Sequence, residues 1–147
     1  LGPEYDSFVG LSGPWDISHH FDYEAGRGVE EISPMKPACG HSREEFDRRS
    51  PARRLREALA DASEGGRTVG GGDDDDRGGD GDATTGPFVS DLLPRTLLVH
   101  GIEDSTVPFT ATSECARILR QCGMTGSLEE CYLANTGHQD VVMHLML

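Results

Sequence analysis

The hydrophobic residues of this chain gather in short runs set between polar stretches. The clearest run, Thr96-Leu97-Leu98-Val99, lies between Pro94 and Gly101. It reads as a buried strand of a mostly parallel sheet, with both faces covered. Phe8-Val9-Gly10-Leu11 reads as another strand, ending in the turn Ser12-Gly13-Pro14, and Glu130-Cys131-Tyr132-Leu133 as a third. Residues 113–119 begin a helix between the second and third of these, and residues 139–147 read as a closing helix. Residues 54–62 are good helix formers with Leu55, Ala58, Leu59 and Ala62 on one face. That helix is expected to take Ser50 as its N-cap and Pro51 at its first position, and to end before Gly65-Gly66. Ile32-Ser33-Pro34-Met35 marks a turn before a helix or a short excursion. Residues 15–20 show no clear helical stripe and read as a loop. The expected class is α/β, a mostly parallel sheet flanked by helices.

Composition changes this picture in one place. The hydrophobic fraction is 35%, below the roughly 45–50% of a typical globular chain, whose count includes Gly. The deficit comes from residues 63–86, a Gly/Asp-rich segment that can bury almost nothing and is expected to be a disordered surface insertion. Its four aspartates, Asp73 to Asp76, lack the alternating ligand spacing and terminal Glu of a calcium loop. The net charge of −13 argues against a nucleic-acid partner, which needs a basic footprint. No run of about 18 apolar residues occurs, so no membrane span is expected. Cys39, Cys115, Cys122 and Cys131 include no close pair of the kind zinc sites use. They read as free, buried thiols. A Cys115–Cys122 disulfide within one helix would have to span about 10 Å. No metal and no cofactor is expected.

Candidate chemistry sits at the strand ends. Glu103 and Asp104 follow the Thr96 strand, and His138 follows the next one, in Thr136-Gly137-His138. In open α/β sheets, sites form at the carboxyl ends of strands. A working histidine needs a carboxylate on one ring nitrogen to fix its tautomer and stabilise its imidazolium. The acid and histidine of such a pair are present, in that order.

The sequences LLVHGIEDSTVPF and YLANTGHQDVVMHLM resemble the C-terminal half of an α/β-hydrolase, nearest to the isoprenylcysteine methylesterase-like carboxylesterases. FVGLSGPWDISHHFDYEAGRGVEEISPMKPACG resembles the same family's segment after the nucleophile helix. The resemblance covers residues 8–38 and 93–146. His100-Gly101-Ile102-Glu103-Asp104-Ser105-Thr106-Val107-Pro108 follows the family's H-G-x-x-D-x-x-V-P pattern, which implies Asp104 rather than Glu103 as the acid and His138 as the general base. The family's triad runs Ser, acid, His, which implies a nucleophile serine upstream of Leu1. The 147 residues are then expected to be part of a domain of about 250 or more, inactive and marginally stable alone, with exposed apolar edges. The implied substrate is a small-molecule carboxyl ester or the methyl ester of a prenylated cysteine. The implied setting is intracellular, at endoplasmic reticulum or Golgi membranes, with any membrane association carried by upstream segments.

Other residues invite chemistry less directly. Gly10-Leu11-Ser12-Gly13-Pro14 has Pro where a nucleophile elbow ends in Gly, and no helix is expected straight after it, so Ser12 reads as a strand-end turn. Asp16, His19, His20 and Asp22 are expected on a solvated or rim-lining loop rather than around a metal, because adjacent histidines diverge on regular elements. Trp15, Phe21 and Tyr23 suit either an apolar pocket wall or the core. Arg48, Arg49, Arg53, Arg54 and Arg56 suit a solvated helix face with acidic neighbours, or else a grip on an anionic headgroup. His100 reads as structural, and the facing of His144 is open. Alternative readings are another hydrolase on the same fold (an arylformamidase, a lipase-like esterase or a peptidase), a minimal hydrolase using Ser12, and a non-catalytic binding module.

Overall fold

The computed structural model describes residues 4–65 and 89–146. The acidic run Asp73 to Asp76, and with it most of the expected insertion, lies outside them. Three strands, β1 (Ser7–Leu11), β2 (Arg95–Gly101) and β3 (Leu128–Leu133), form one sheet in the order β1-β2-β3. Both pairings are parallel, with Val9 opposite Leu97 and Val99 opposite Cys131. Parallel neighbours need long crossovers. Four helices, α1 (Ile17–Gly26), α2 (Met35–Cys39), α3 (Arg43–Arg49) and α4 (Pro51–Gly65), together with a 3₁₀ turn at Val89–Leu92, lie between β1 and β2. α5 (Phe109–Gln121) connects β2 to β3, and α6 (Asp140–Met146) follows β3. The chain is therefore of the α/β class. Among the described residues no helix is long and apolar enough to cross a membrane.

β2 is covered unequally, which corrects the expectation of two buried faces. Thr96, Leu98 and His100 are buried on one face, while Leu97 and Val99 on the other are half-buried. The closed face packs under α5 through Leu98, Cys115, Ala116 and Leu119, and Met124 and Leu128 complete the cluster. The next face of α5, Ile118 and Cys122, packs on Ala52 of α4. Trp15 and Leu55 touch both clusters. Gly10 is what lets Trp15 lie on the sheet, since a Cβ there would stand 2.4 Å from the indole. All four cysteines are free, with Cys115 and Cys122 buried and Cys39 and Cys131 half-buried. The edge strand β1 leaves Phe8 and Val9 exposed.

The loop expected over residues 15–20 is instead the start of α1. Asp16 caps it, its Oδ1 accepting from the His19 amide at 3.1 Å. Its inward stripe is Ile17, His20 and Glu24, at helical spacing but mostly polar, so hydrophobic periodicity passes over it. α3 starts at a capping box: Ser42 Oγ accepts from the Glu45 amide at 3.2 Å, and Glu45 reaches back to the His41 amide at 2.9 Å. Pro51 does open α4, but the Ser50 hydroxyl does not cap it. Ser50 Oγ accepts from the Ile17 amide at 2.8 Å and donates to the Phe46 carbonyl at 2.7 Å, tying α1 to α3. α4 continues to Gly65, with Leu55, Ala58 and Leu59 half-buried and Ala62 exposed.

Candidate active site

β1, β2 and β3 all end at the same edge of the sheet, because parallel strands share a direction. Ser12, Asp104 and His138 follow those three ends. The loops after β2 and β3 are joined by backbone hydrogen bonds from Ile102 to Leu133 O at 2.9 Å and from Glu103 to Thr136 O at 3.1 Å. This junction brings the acid and the histidine together.

His138 Nδ1–H donates to Asp104 Oδ2 at 2.8 Å. The other carboxylate oxygen, Oδ1, accepts from the amides of Thr106 at 2.9 Å and Val107 at 2.8 Å. Asp104 thus does two jobs, one per oxygen: it closes its own turn and it holds a histidine. Its side chain is fully buried, whereas that of His138 is 38% exposed. Of the two acids in the loop, Glu103 is exposed and only its backbone joins the junction. The turn before His138 bends at Asn135, whose φ is 52°, and not at Gly137. The Gly137 amide is instead taken by Asp140 Oδ2 at 2.8 Å.

With Nδ1–H committed to Asp104, the lone pair of His138 is on Nε2. Among the described residues no hydroxyl or thiol is hydrogen-bonded to that nitrogen. Ser12 is buried, stands at φ 45°, donates its amide to Val99 O at 2.9 Å, and has a buried Oγ without a partner. A left-handed serine costs roughly 1–2 kcal/mol, and a helix does follow it, α1 starting at Ile17, three residues beyond Pro14.

Two further histidines, His100 and His20, lie near the pair, and the structure defines their partners. His100 lies wholly buried on β2, with Nε2 2.9 Å from Val107 O and 3.2 Å from Asp104 Oδ2. Its Nδ1 is 2.6 Å from Thr112 Oγ1, which also accepts the Trp15 indole N–H at 3.0 Å. His20 is buried beside Glu24 at 3.4 Å, with its Nδ1 unpartnered. Burial lowers the affinity of His20 for a proton; Glu24 opposes that, and weaker influences arrive from His138 and Asp104. The sequence signal for His20 is its helical spacing from Ile17 and Glu24. For His100 it is the place before Gly101 at a strand end.

The remaining candidates resolve into structural roles. Asp22 pairs with Arg43, and Asp16 caps α1 and meets Arg53 at 3.2 Å. Arg56 reaches Glu114 at 2.7 Å, so Arg53 and Arg56 have the acidic neighbours of a solvated face. Phe21 packs on Phe46, with ring centroids 5.2 Å apart. His144 Nδ1 lies 2.7 Å from Asp140 O on the exposed side of α6. A cleft of about 550 Å³ between α1, α4 and α5 is lined by His20, Tyr23, Arg53, Arg56 and Glu114 together with apolar residues such as Pro108 and Ala111. Trp15 lines a separate apolar cleft of about 520 Å³ with Phe8, Leu55 and Leu98. No family model, curated protein or solved structure matches the chain.

Proposed function

We propose that the chain carries the acid and the histidine of a serine hydrolase of the α/β-hydrolase fold, acting on carboxyl esters. The observation that supports this best is the 2.8 Å contact between His138 Nδ1 and Asp104 Oδ2, made from loops after adjacent parallel strands, acid before histidine. In this reading Nε2 of His138 takes the proton of a serine hydroxyl as its oxygen attacks the ester carbonyl. The tetrahedral intermediate collapses to the acyl-enzyme, and His138 returns the proton to the leaving alcohol. Water then repeats the cycle, giving the free acid and restoring the serine. Asp104 holds the tautomer and stabilises the transient imidazolium. The nucleophile and the oxyanion donors are supplied by an upstream segment. A prenylcysteine methyl ester is the specific substrate we propose, with the enzyme working at endoplasmic reticulum or Golgi membranes.

The test is to treat the product of the extended coding sequence with a fluorophosphonate probe. Labelling lost on mutating an upstream elbow serine, together with ester hydrolysis lost in His138→Ala, supports the reading. Absence of both an elbow and labelling overturns it in favour of a binding module.

One observation favours a second reading. Ser12 is left-handed, at φ 45°, at a strand end, with an unpartnered hydroxyl, as suits a strained nucleophile turn. Esterase turnover by the 147-residue chain, abolished in Ser12→Ala, would establish it; no turnover would end it.

A further inference from the structure

We propose that His100, held in one tautomer by Thr112 and Trp15, is a positioning residue for the Asp104 carboxylate. The proposal rests on the reading of Asp104 and His138 as the working pair.

The direction of each hydrogen bond follows from the groups present. An indole N–H can only donate, so Trp15 Nε1 gives its proton to Thr112 Oγ1 at 3.0 Å. The single hydroxyl proton of Thr112 then goes to its other close neighbour, His100 Nδ1, at 2.6 Å. With Nδ1 accepting, the ring proton is on Nε2. The opposite end of the ring demands the same tautomer independently. Nε2 faces a carbonyl oxygen, Val107 O at 2.9 Å, and a carboxylate oxygen, Asp104 Oδ2 at 3.2 Å. Neither can donate.

His100 therefore acts on Asp104 from two sides. By holding the Val107 carbonyl it fixes the turn whose Thr106 and Val107 amides grip Oδ1. It also presents the positive end of its N–H dipole to Oδ2, the oxygen that holds His138. His138 is partly exposed, whereas the His100, Thr112 and Asp104 side chains are closed to solvent. The fixed reference for the carboxylate is thus the buried chain running back to Trp15, and His138 is the member that can move. Any buried imidazole needs partners for both nitrogens; what marks His100 is that its Nε2 partners are Val107 O and Asp104 Oδ2, the carbonyl and the carboxylate of the acid's own turn. An apolar residue there would leave the Thr112 hydroxyl proton and Val107 O unpaired in a dry site, and would take from Oδ2 one of its two donors.

Proton and nitrogen NMR of the isotope-labelled chain tests this without substrate. In the wild type, His100 is expected as the neutral Nε2–H tautomer; an Nδ1–H tautomer or an imidazolium at neutral pH overturns the proposal. The second readout is the low-field proton of His138 Nδ1–H on Asp104. His100→Gln sets an amide N–H at the Nε2 position and should keep that signal. His100→Asn reaches only Thr112 and should lose it, although both variants keep a polar side chain. Signal kept by a folded Asn variant, or lost from a folded Gln variant, overturns the proposal. Should the Asn variant fail to fold, the wild-type tautomer and the Gln variant decide. Failure of ester hydrolysis counts against the proposed function and leaves these readouts intact.

Discussion

Gly101 and Thr136 meet backbone to backbone where β2 ends, so closely that a Cβ on Gly101 would stand 2.2 Å from the Thr136 carbonyl oxygen. Neither partner is a flexible side-chain tip. Gly101→Ala should therefore force the loops after β2 and β3 apart. The expected loss is about 1–3 kcal/mol, the usual cost of overpacking, read as a lower urea midpoint. The same shift should weaken the His138 contact with Asp104, seen as loss of its low-field proton. An unchanged midpoint and signal would show that the junction yields more easily than its geometry implies.

Asp104 separates into two roles by oxygen, and its substitutions should separate likewise. Asp104→Asn can keep the Oδ1 contacts to the Thr106 and Val107 amides, so it should keep the turn, but it loses the charge beside His138 and sets an NH2 against the N–H groups of His138 and His100. Asp104→Ala strands both amides and should cost about 1–3 kcal/mol more. Equal stability of the two variants, by chemical denaturation, would contradict that division.

His20 gives the fold an acid limb. Burial lowers its folded-state pKa below the ordinary 6.5, so the unfolded chain binds the proton more readily. The stability from burying the neutral ring is then present above pH 6.5 and shrinks as pH falls below it. His20→Gln should flatten the loss of stability between about pH 7 and pH 5. Parallel denaturation curves across that range in variant and wild type would rule His20 out as the source.

Thiol chemistry should sort the cysteines. Burial pushes Cys115 up to about 12, and Cys122 is raised for the same reason. A thiolate-directed reagent should modify Cys39 and Cys131 first in the native chain. Cys115 and Cys122 should react only on unfolding. Early labelling of Cys115 by peptide mapping would mean that α5 opens from the sheet.

The strands were legible because each is a short apolar run ending in turn residues, and the pairing of Asp104 with His138 was legible because acid and histidine each follow such a run. What escaped carries its information in polar atoms. α1 turns His20 and Glu24 inward, α3 is announced by Ser42 and Glu45, and the Ser50 hydroxyl serves α1 and α3 rather than α4. His100 looked structural because the groups that define its tautomer come from α5 and from the β1–α1 loop. No local pattern joins them; only the closed sheet face does.

The shared carboxylate of Asp104 has a consequence for how this chain can change over generations. Selection on the loop alone would retain an aspartate here, because Oδ1 anchors two amides whether or not anything is hydrolysed. Under the proposed function, a descendant that abandoned hydrolysis would keep Asp104 and lose His138 first, since His138 is partly exposed and closes no turn of its own. The histidine, rather than the more buried acid, is then the position whose identity in a lineage would report whether the proposed activity is in use.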